Sequence, residues 1–334
     1  GEYTSLNLHL DIEKTMELRG SIIQHTADVF DPDLFIVDKE PLGLRGEVGD
    51  TLKMLKERGT PLILGLRDVM DEPELLVPEW KRKNVMPALE EIYDELWVYG
   101  LPQVYDPLTG IDMPQSVKRK MVYTGYLRYE VPEASSVIPS TIPTKPYVLV
   151  TPGGGGDGEA MIDWVLLAYE RVAEIPYPAL IVFGPFMQPE LQESFINRIE
   201  KLDMVEAITF DAHLENLMAR AVGVVAMGGY NTFCEILSFD KPGIIIPRTQ
   251  PRLEQYIRAR RAQELGLLTM LKDDGRQDPQ QMATALRQLT QQHRPSDIIL
   301  PGLLDGLSNI NRLVQQNLDR KRSAALSIVG QNFT

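Results

Sequence analysis

Five of the six residues from 153 to 158 are glycine, in the run Thr151-Pro152-Gly153-Gly154-Gly155-Gly156-Asp157-Gly158. Glycines at such a turn let backbone N–H groups approach an anion, and a helix opening directly after it adds a favourable dipole. The run is not a P-loop, because no Gly-Lys-Ser/Thr follows. Nor is it a G-x-G-x-x-G fingerprint with a ribose carboxylate about 20 residues on. The plainer reading is a tight left-handed turn that binds nothing, but five glycines exceed what a turn needs. Asp157 would repel phosphate if it pointed inward, so it reads as a helix cap.

A second constellation spans residues 223–258. An apolar run at 223–226 suits a buried parallel strand. Met227-Gly228-Gly229 breaks it, and Asn231 and Thr232 are placed to cap the next helix. Two roles are open to Glu235: acceptor for two vicinal ribose hydroxyls, or capping-box partner of Thr232. After the strand at 243–247 and a loop at 248–251, Glu254 and Gln255 open a further helix, with side chains suited to sugar hydroxyls. Arg252, Arg258, Arg260 and Arg261 crowd this helix. Arg258, one turn from Gln255, is the best candidate for phosphate, although a solvated face is the commoner use of such a run.

In the first half, polar clusters end two strands: Asp38, Lys39 and Glu40, then Arg67, Asp68 and Asp71. Asp38 and Asp68 are candidate general bases by position; helix capping and pairing with Lys39 and Arg67 is an equal alternative. The four histidines have no metal-ligand spacing, and the lone Cys234 reads as a buried structural thiol. No metal site is expected.

The elements around these residues alternate. Residues 12–30 read as an amphipathic helix, with strands at 34–37, 61–66, 96–99 and 122–124. In the second half, strands are expected at 147–151, 179–183, 207–210, 223–226, 243–247 and 268–271, separated by helices. A final helix is expected at 303–318, with a frayed tail from Arg320. Alternation of this kind implies parallel, doubly wound sheets with helices on both faces. Residues 131–146 hold four prolines and no periodicity, so they read as a linker. The chain therefore divides into 1–130, the linker 131–146, 147–302, and a C-terminal helix and tail at 303–334 that packs back on the first domain.

The length of 334 residues suits two domains of about 150. A net charge of −13 argues against a nucleic-acid partner. No apolar run approaches the ~18 residues of a membrane span, and the start is not a signal peptide, so a cytoplasmic location is expected. The triplets Lys81-Arg82-Lys83 and Lys118-Arg119-Lys120 read as solvated faces; the other reading is weak peripheral membrane contact through anionic lipid, with Trp80 beside the first triplet.

Residues 122–270 resemble the nucleotide-binding domain of GT-B glycosyltransferases of the MurG-like group, family 28 C-terminal domain. The resemblance rests on Val122-Tyr123-Thr124-Gly125-Tyr126, the glycine run at 151–158, Phe210-Asp211 before Leu214-Glu215-Asn216-Leu217-Met218, Gly228-Gly229 with Glu235, Lys241-Pro242 with Ile246-Pro247, and Glu254-Gln255. The first half, through residues 35–47 and 64–73, is similar to bacterial transferases related to that group.

The resemblance implies two Rossmann-like domains (GT-B) and a UDP-sugar as co-substrate rather than a cofactor. It puts Phe210 near uracil, Glu235 on the ribose, Glu254 and Gln255 at the donor sugar, and Gly153–Gly156 at the phosphates. It implies metal-independent, inverting transfer of a hexosyl or N-acetylhexosaminyl group to an acceptor hydroxyl. A nucleotide-sugar hydrolase, a 2-epimerase and a non-catalytic nucleotide-sugar binder share the same fold. Met227-Gly228-Gly229 stands where MurG-type enzymes have Arg-Ser-Gly, so one cationic contact is missing. The family's first strand and glycine turn have no counterpart here. The first domain is therefore expected to be incomplete, with the base in a segment before residue 1 or at Asp38 or Asp68.

Overall fold

The computed structural model describes residues 11–130, 145–153, 156–209 and 213–331, with side chains described as far as residue 323. Gly154, Gly155, Phe210 and nearly all of the expected linker lie outside the described residues. The chain forms two compact units, residues 1–126 with 305–334, and residues 127–304.

In the first unit, Asp11 caps helix α1 (Ile12–Phe30) by accepting from the amides of Glu13 and Lys14 at 2.6 and 3.2 Å. Asp31 ends the helix in the left-handed region, φ 47°. Strands β1 (Phe35–Asp38), β2 (Leu62–Arg67), β3 (Glu95–Tyr99) and β4 (Met121–Tyr123) form a parallel sheet in that order.

Strand β2 shows how the sheet is covered, because its side chains alternate between faces. Leu62, Leu64 and Leu66 join a core with Leu52 and Leu55 of α2 (Gly49–Glu57) and Leu76 and Trp80 of α3 (Pro73–Arg82). Ile63 points the other way and packs with Trp97 against Ile310, Leu313 and Val314 of the last helix. A parallel sheet needs both faces covered, and the apolar run in β2 supplies both.

Two expectations about this unit change. Trp80 is a core residue, so its indole is no surface anchor. The two basic triplets are partly engaged: Lys83 bridges Glu40 and Glu79, each at 2.8 Å, and Lys120 Nζ donates to the carbonyls of Leu89, Glu90 and Tyr93 at 2.7–2.8 Å. Lys120 follows the short helix α4 (Gln115–Lys118) and ties it to the turn before β3.

The last helix also differs from expectation. It starts at Gly306 rather than 303 and continues to Gln331. Its start is fixed where the Gly306 amide donates to the Tyr126 carbonyl at 3.1 Å and Asn309 Nδ2 to the Thr124 carbonyl at 2.8 Å. The segment from Arg320, expected as a frayed tail, is helical to Gln331, and Arg320 pairs with Glu95 at 2.7 Å and Lys321 with Asp33 at 3.4 Å. The last helix is α11 (Gly306–Gln331), after the six helices of the second unit.

The second unit has six parallel strands: β5 (Val148–Thr151), β6 (Ala179–Val182), β7 (Val205–Ile208), β8 (Gly223–Ala226), β9 (Gly243–Ile245) and β10 (Thr269–Met270). Its helices are α5 (Glu159–Arg171), α6 (Pro189–Ile199), α7 (Leu214–Arg220), α8 (Tyr230–Ser238), α9 (Glu254–Glu264) and α10 (Pro279–Gln288). Val148 and Val150 of the central strand pack with Ile162, Trp164 and Val165 of α5. The Trp164 indole donates to the Asp278 carbonyl at 2.8 Å, satisfying its one polar atom beside the cap of α10. No helix among the described residues is long and apolar enough to cross a membrane.

Candidate functional site

Read from one edge, the second sheet runs β7-β6-β5-β8-β9-β10. Connections from β5 go one way and those from β8 the other, so the strand order reverses between these two neighbours. Crevices outside the carboxyl ends of strands at such a switch point are where open α/β sheets bind ligands. The last residues of the two strands, Thr151 and Ala226, stand opposite one another. The glycine turn and the Gly228-Gly229 turn therefore leave the sheet side by side.

Backbone geometry explains the glycines. Gly153 has φ +83°, and a Cβ there would lie 3.4 Å from Thr232 Oγ1, so the first turn rests on α8. A Cβ on Gly158 would fall 2.0 Å from Pro152 Cβ, and one on Gly156 3.0 Å from the Phe186 carbonyl. Gly228, φ +78°, leaves no room before Ile245 Cγ2 at 2.7 Å. The helices that follow, α5 and α8, begin after Gly158 and Gly229, and neither has a side-chain cap. Of the other helices, α2, α3, α4, α6, α7 and α9 also lack one, whereas α1 and α10 begin on aspartates whose side chains accept from their first amides. At the switch point the first-turn N–H groups carry no such partner, which is the arrangement that suits an anionic ligand.

Two caps expected from the sequence are not made. Helix α8 already includes Tyr230, so Asn231 and Thr232 sit in its first turn and Gly229 occupies the cap position. Asn231 is exposed and Thr232 buried. Asp157 does not cap α5; it accepts from Arg248 Nη1 at 2.8 Å.

Arg248 was read only as the start of a loop, and it proves to be the hub of this edge. Its Nη2 donates to Glu254 Oε1 at 2.8 Å, and its backbone N donates to Gln255 Oε1 at 3.2 Å. Burial opposes its charge, but the hydrogen bonds to Asp157 and Glu254 outweigh it and raise its pKa. Arg248 Nε and Glu254 Oε2 are buried with no hydrogen-bond partner among the described residues.

Arg258 is fully buried. Its Nη1 donates to the Gly228 carbonyl at 3.1 Å, and its guanidinium carbon lies 5.6 Å above the Tyr230 ring. It braces the turn after β8 from within. Arg260 and Arg261 both pair with Glu264 on the outer face of α9.

Glu235 lies in the middle of α8, half-buried, and its carboxylate makes no hydrogen bond or ion pair to another described residue. Burial, helped by the nearby charge of Glu215, pushes its carboxyl up to about 7. The capping-box role lapses, since Thr232 caps nothing. Glu215 itself faces His213 Nδ1 at 3.1 Å, which accounts for that histidine.

The first unit holds the two other candidate carboxylates. Asp68 is completely buried; it accepts from the Tyr126 hydroxyl at 2.9 Å on one oxygen and from the Val69 amide at 2.8 Å on the other. Asp38, at the end of β1, is exposed, with Arg67 Nη2 3.7 Å away. Its charge adds to the burial that pushes the neighbouring Tyr99 hydroxyl up to about 12. Among the described residues no three His, Cys, Asp or Glu side chains converge as a metal site.

Residues 148–296 match the model of the glycosyltransferase family 28 C-terminal domain, a span that holds all six strands of the second sheet. No curated protein matches the sequence. Several solved structures do. S. aureus MnaA, in a co-structure with UDP, has a TM-score of 0.59 at 13% identity, over 92% of this chain and 81% of that one. MurG of Acinetobacter baumannii gives 0.57 at 11%, over 94% and 84%. The glycosyltransferase VinC in complex with dTDP gives 0.52 at 15%, over 95% and 76%. At these identities the likeness speaks for the fold. The chain thus has an α/β fold of the GT-B type with two parallel sheets, and residues 148–296 of its second unit resemble the family 28 C-terminal domain.

Proposed function

We propose that this protein is a cytoplasmic glycosyltransferase that moves a sugar from a nucleotide-sugar, UDP-linked, to an acceptor hydroxyl. The observation that carries the reading is Glu235: a half-buried carboxyl without a described partner, on the helix that opens from the switch point, inside the span matched by the family model. A group desolvated in this way is stabilised when a ligand donates hydrogen bonds to it, and the vicinal hydroxyls of a ribose do that.

The other roles follow from the same edge. The amides around Gly153, Gly156 and Gly229 receive the diphosphate, and so would Gly154 and Gly155, which lie outside the described residues, as does Phe210, assigned to the base. Glu254 and Gln255 face the donor sugar. Leaving-group charge is stabilised by backbone amides and helix dipoles in a metal-independent, inverting displacement. Asp38 is assigned as the general base, since the oxygens of Asp68 are already engaged.

The test is a calorimetric panel of UDP-, dTDP- and GDP-sugars, followed by product analysis with labelled donor. Binding of a UDP-sugar and label transfer to an added acceptor extract support the reading. Release of free sugar or of an epimer without acceptor identifies a hydrolase or 2-epimerase instead. Tight binding without any turnover identifies a sensor.

A further inference from the structure

We propose that Arg248 is a positioning residue for the diphosphate: it cancels the charge of Asp157 in the glycine turn and ties that turn to the start of α9. The inference rests on the donor-site reading above. Asp157 is the one charged residue between Thr151 and Gly158. A Cβ added to Gly156 would lie 3.0 Å from the Phe186 carbonyl and one on Gly158 2.0 Å from Pro152 Cβ, so the backbone on either side of Asp157 runs close against its neighbours. An uncompensated carboxylate beside the amides that receive a diphosphate would oppose binding.

Arg248 removes that opposition. It reaches Asp157 across 91 positions of sequence at 2.8 Å, while its other terminal nitrogen holds Glu254 at 2.8 Å. Its backbone amide uses the Gln255 side-chain carbonyl, which fixes the loop from which the guanidinium extends. One residue thus sets the position of Glu254 and Gln255, on which the donor reading depends, and of Asp157 in the glycine turn. With both terminal nitrogens committed to carboxylates, its contribution to phosphate binding is charge balance and placement. This separates it from Arg258, which lies buried behind the other turn.

The experiment measures, by calorimetry, whichever of UDP, dTDP and GDP binds the wild type most tightly, together with the matching uncharged nucleoside. Variants are Arg248→Gln, Asp157→Asn and the double variant. Arg248→Gln should weaken the diphosphate about tenfold or more and the nucleoside less than about twofold, and adding Asp157→Asn should recover most of the loss. Unchanged diphosphate affinity in Arg248→Gln overturns the proposal. So does an equal loss for both ligands, the mark of a merely structural residue, or no recovery in the double variant, the mark of direct phosphate contact. If Arg248→Gln does not fold, Asp157→Asn alone decides: held or increased diphosphate affinity supports the proposal, and a tenfold loss overturns it. A wild type that binds none of the three nucleotides is a separate result that overturns the donor-site reading, and the proposal with it.

Discussion

Arg258 Nη1 donates to the Gly228 carbonyl at 3.1 Å, from a guanidinium with almost no exposure. By sequence this arginine was the phosphate candidate of the donor site. By structure it is a strut that holds the turn after β8, with the Tyr230 ring beneath it. Removing a buried charged partner leaves its polar neighbours unsatisfied, so Arg258→Ala should lower stability by about 3 kcal/mol. Urea unfolding followed by circular dichroism measures this. A loss under about 0.5 kcal/mol would show that the turn does not depend on the strut.

Glu235 makes stability depend on pH. Below its ordinary value of 4.5 the carboxyl is protonated in both folded and unfolded chains and costs nothing; above about 7 it is charged in both, and the fold bears the desolvation. The folded state binds more protons between these limits, so stability falls as pH rises from 4.5 to 7, by about 3 kcal/mol as an order of magnitude. Glu235→Gln should flatten this part of the profile and stabilise the free protein above pH 7. The same variant should weaken nucleotide binding, with the largest deficit at pH 8, where the wild-type carboxylate is charged. An identical pH profile for the two proteins would place the titration elsewhere.

The two carboxylates of the first unit should separate cleanly. Asp68→Asn replaces a buried oxygen that accepts from the Tyr126 hydroxyl, and should cost about 1–3 kcal/mol of stability. Asp38→Asn alters an exposed group, and should leave the melting temperature within about 2 °C of wild type while cutting turnover at least about a hundredfold. Retained turnover in Asp38→Asn would remove it as the base.

Gly228→Ala tests the geometry of the second turn. The position needs φ +78°, and a methyl there would lie 2.7 Å from Ile245 Cγ2. Left-handed strain and the steric clash together predict a loss of about 2–4 kcal/mol, read by thermal unfolding. Gly229→Ala is the matched control, since a Cβ there meets nothing within 4 Å. Equal losses at the two positions would contradict the assigned turn.

Much of this architecture was legible in the chain. The apolar run at 223–226 became β8 with the same bounds, and the amphipathic pattern at 12–30 became α1. Period and breaker residues are local signals, and they survive folding. What sequence missed depends on distant partners. Arg248 is unremarkable until Asp157, 91 positions away, is placed against it. Arg320 read as a polar tail because Glu95, its partner, lies 225 positions back. Asn231 and Thr232 looked like caps by residue type, but the backbone enters the helix at Tyr230, one residue before them. Trp80 sits beside a basic triplet in sequence and inside a core in space.

Helix α11 also bears on how the protein is made. Ile63 and Trp97 leave the ribosome long before Ile310, Leu313 and Val314, the residues that cover them. The second unit, residues 127–304, is continuous and has everything it needs once its own segment is translated. The first unit does not. One face of its sheet stays open through synthesis of the entire second unit, and closes only once residues 306–314 have been made. The order of completion is therefore the reverse of the order of translation, and a nascent chain stalled before residue 306 would present an apolar surface to chaperones.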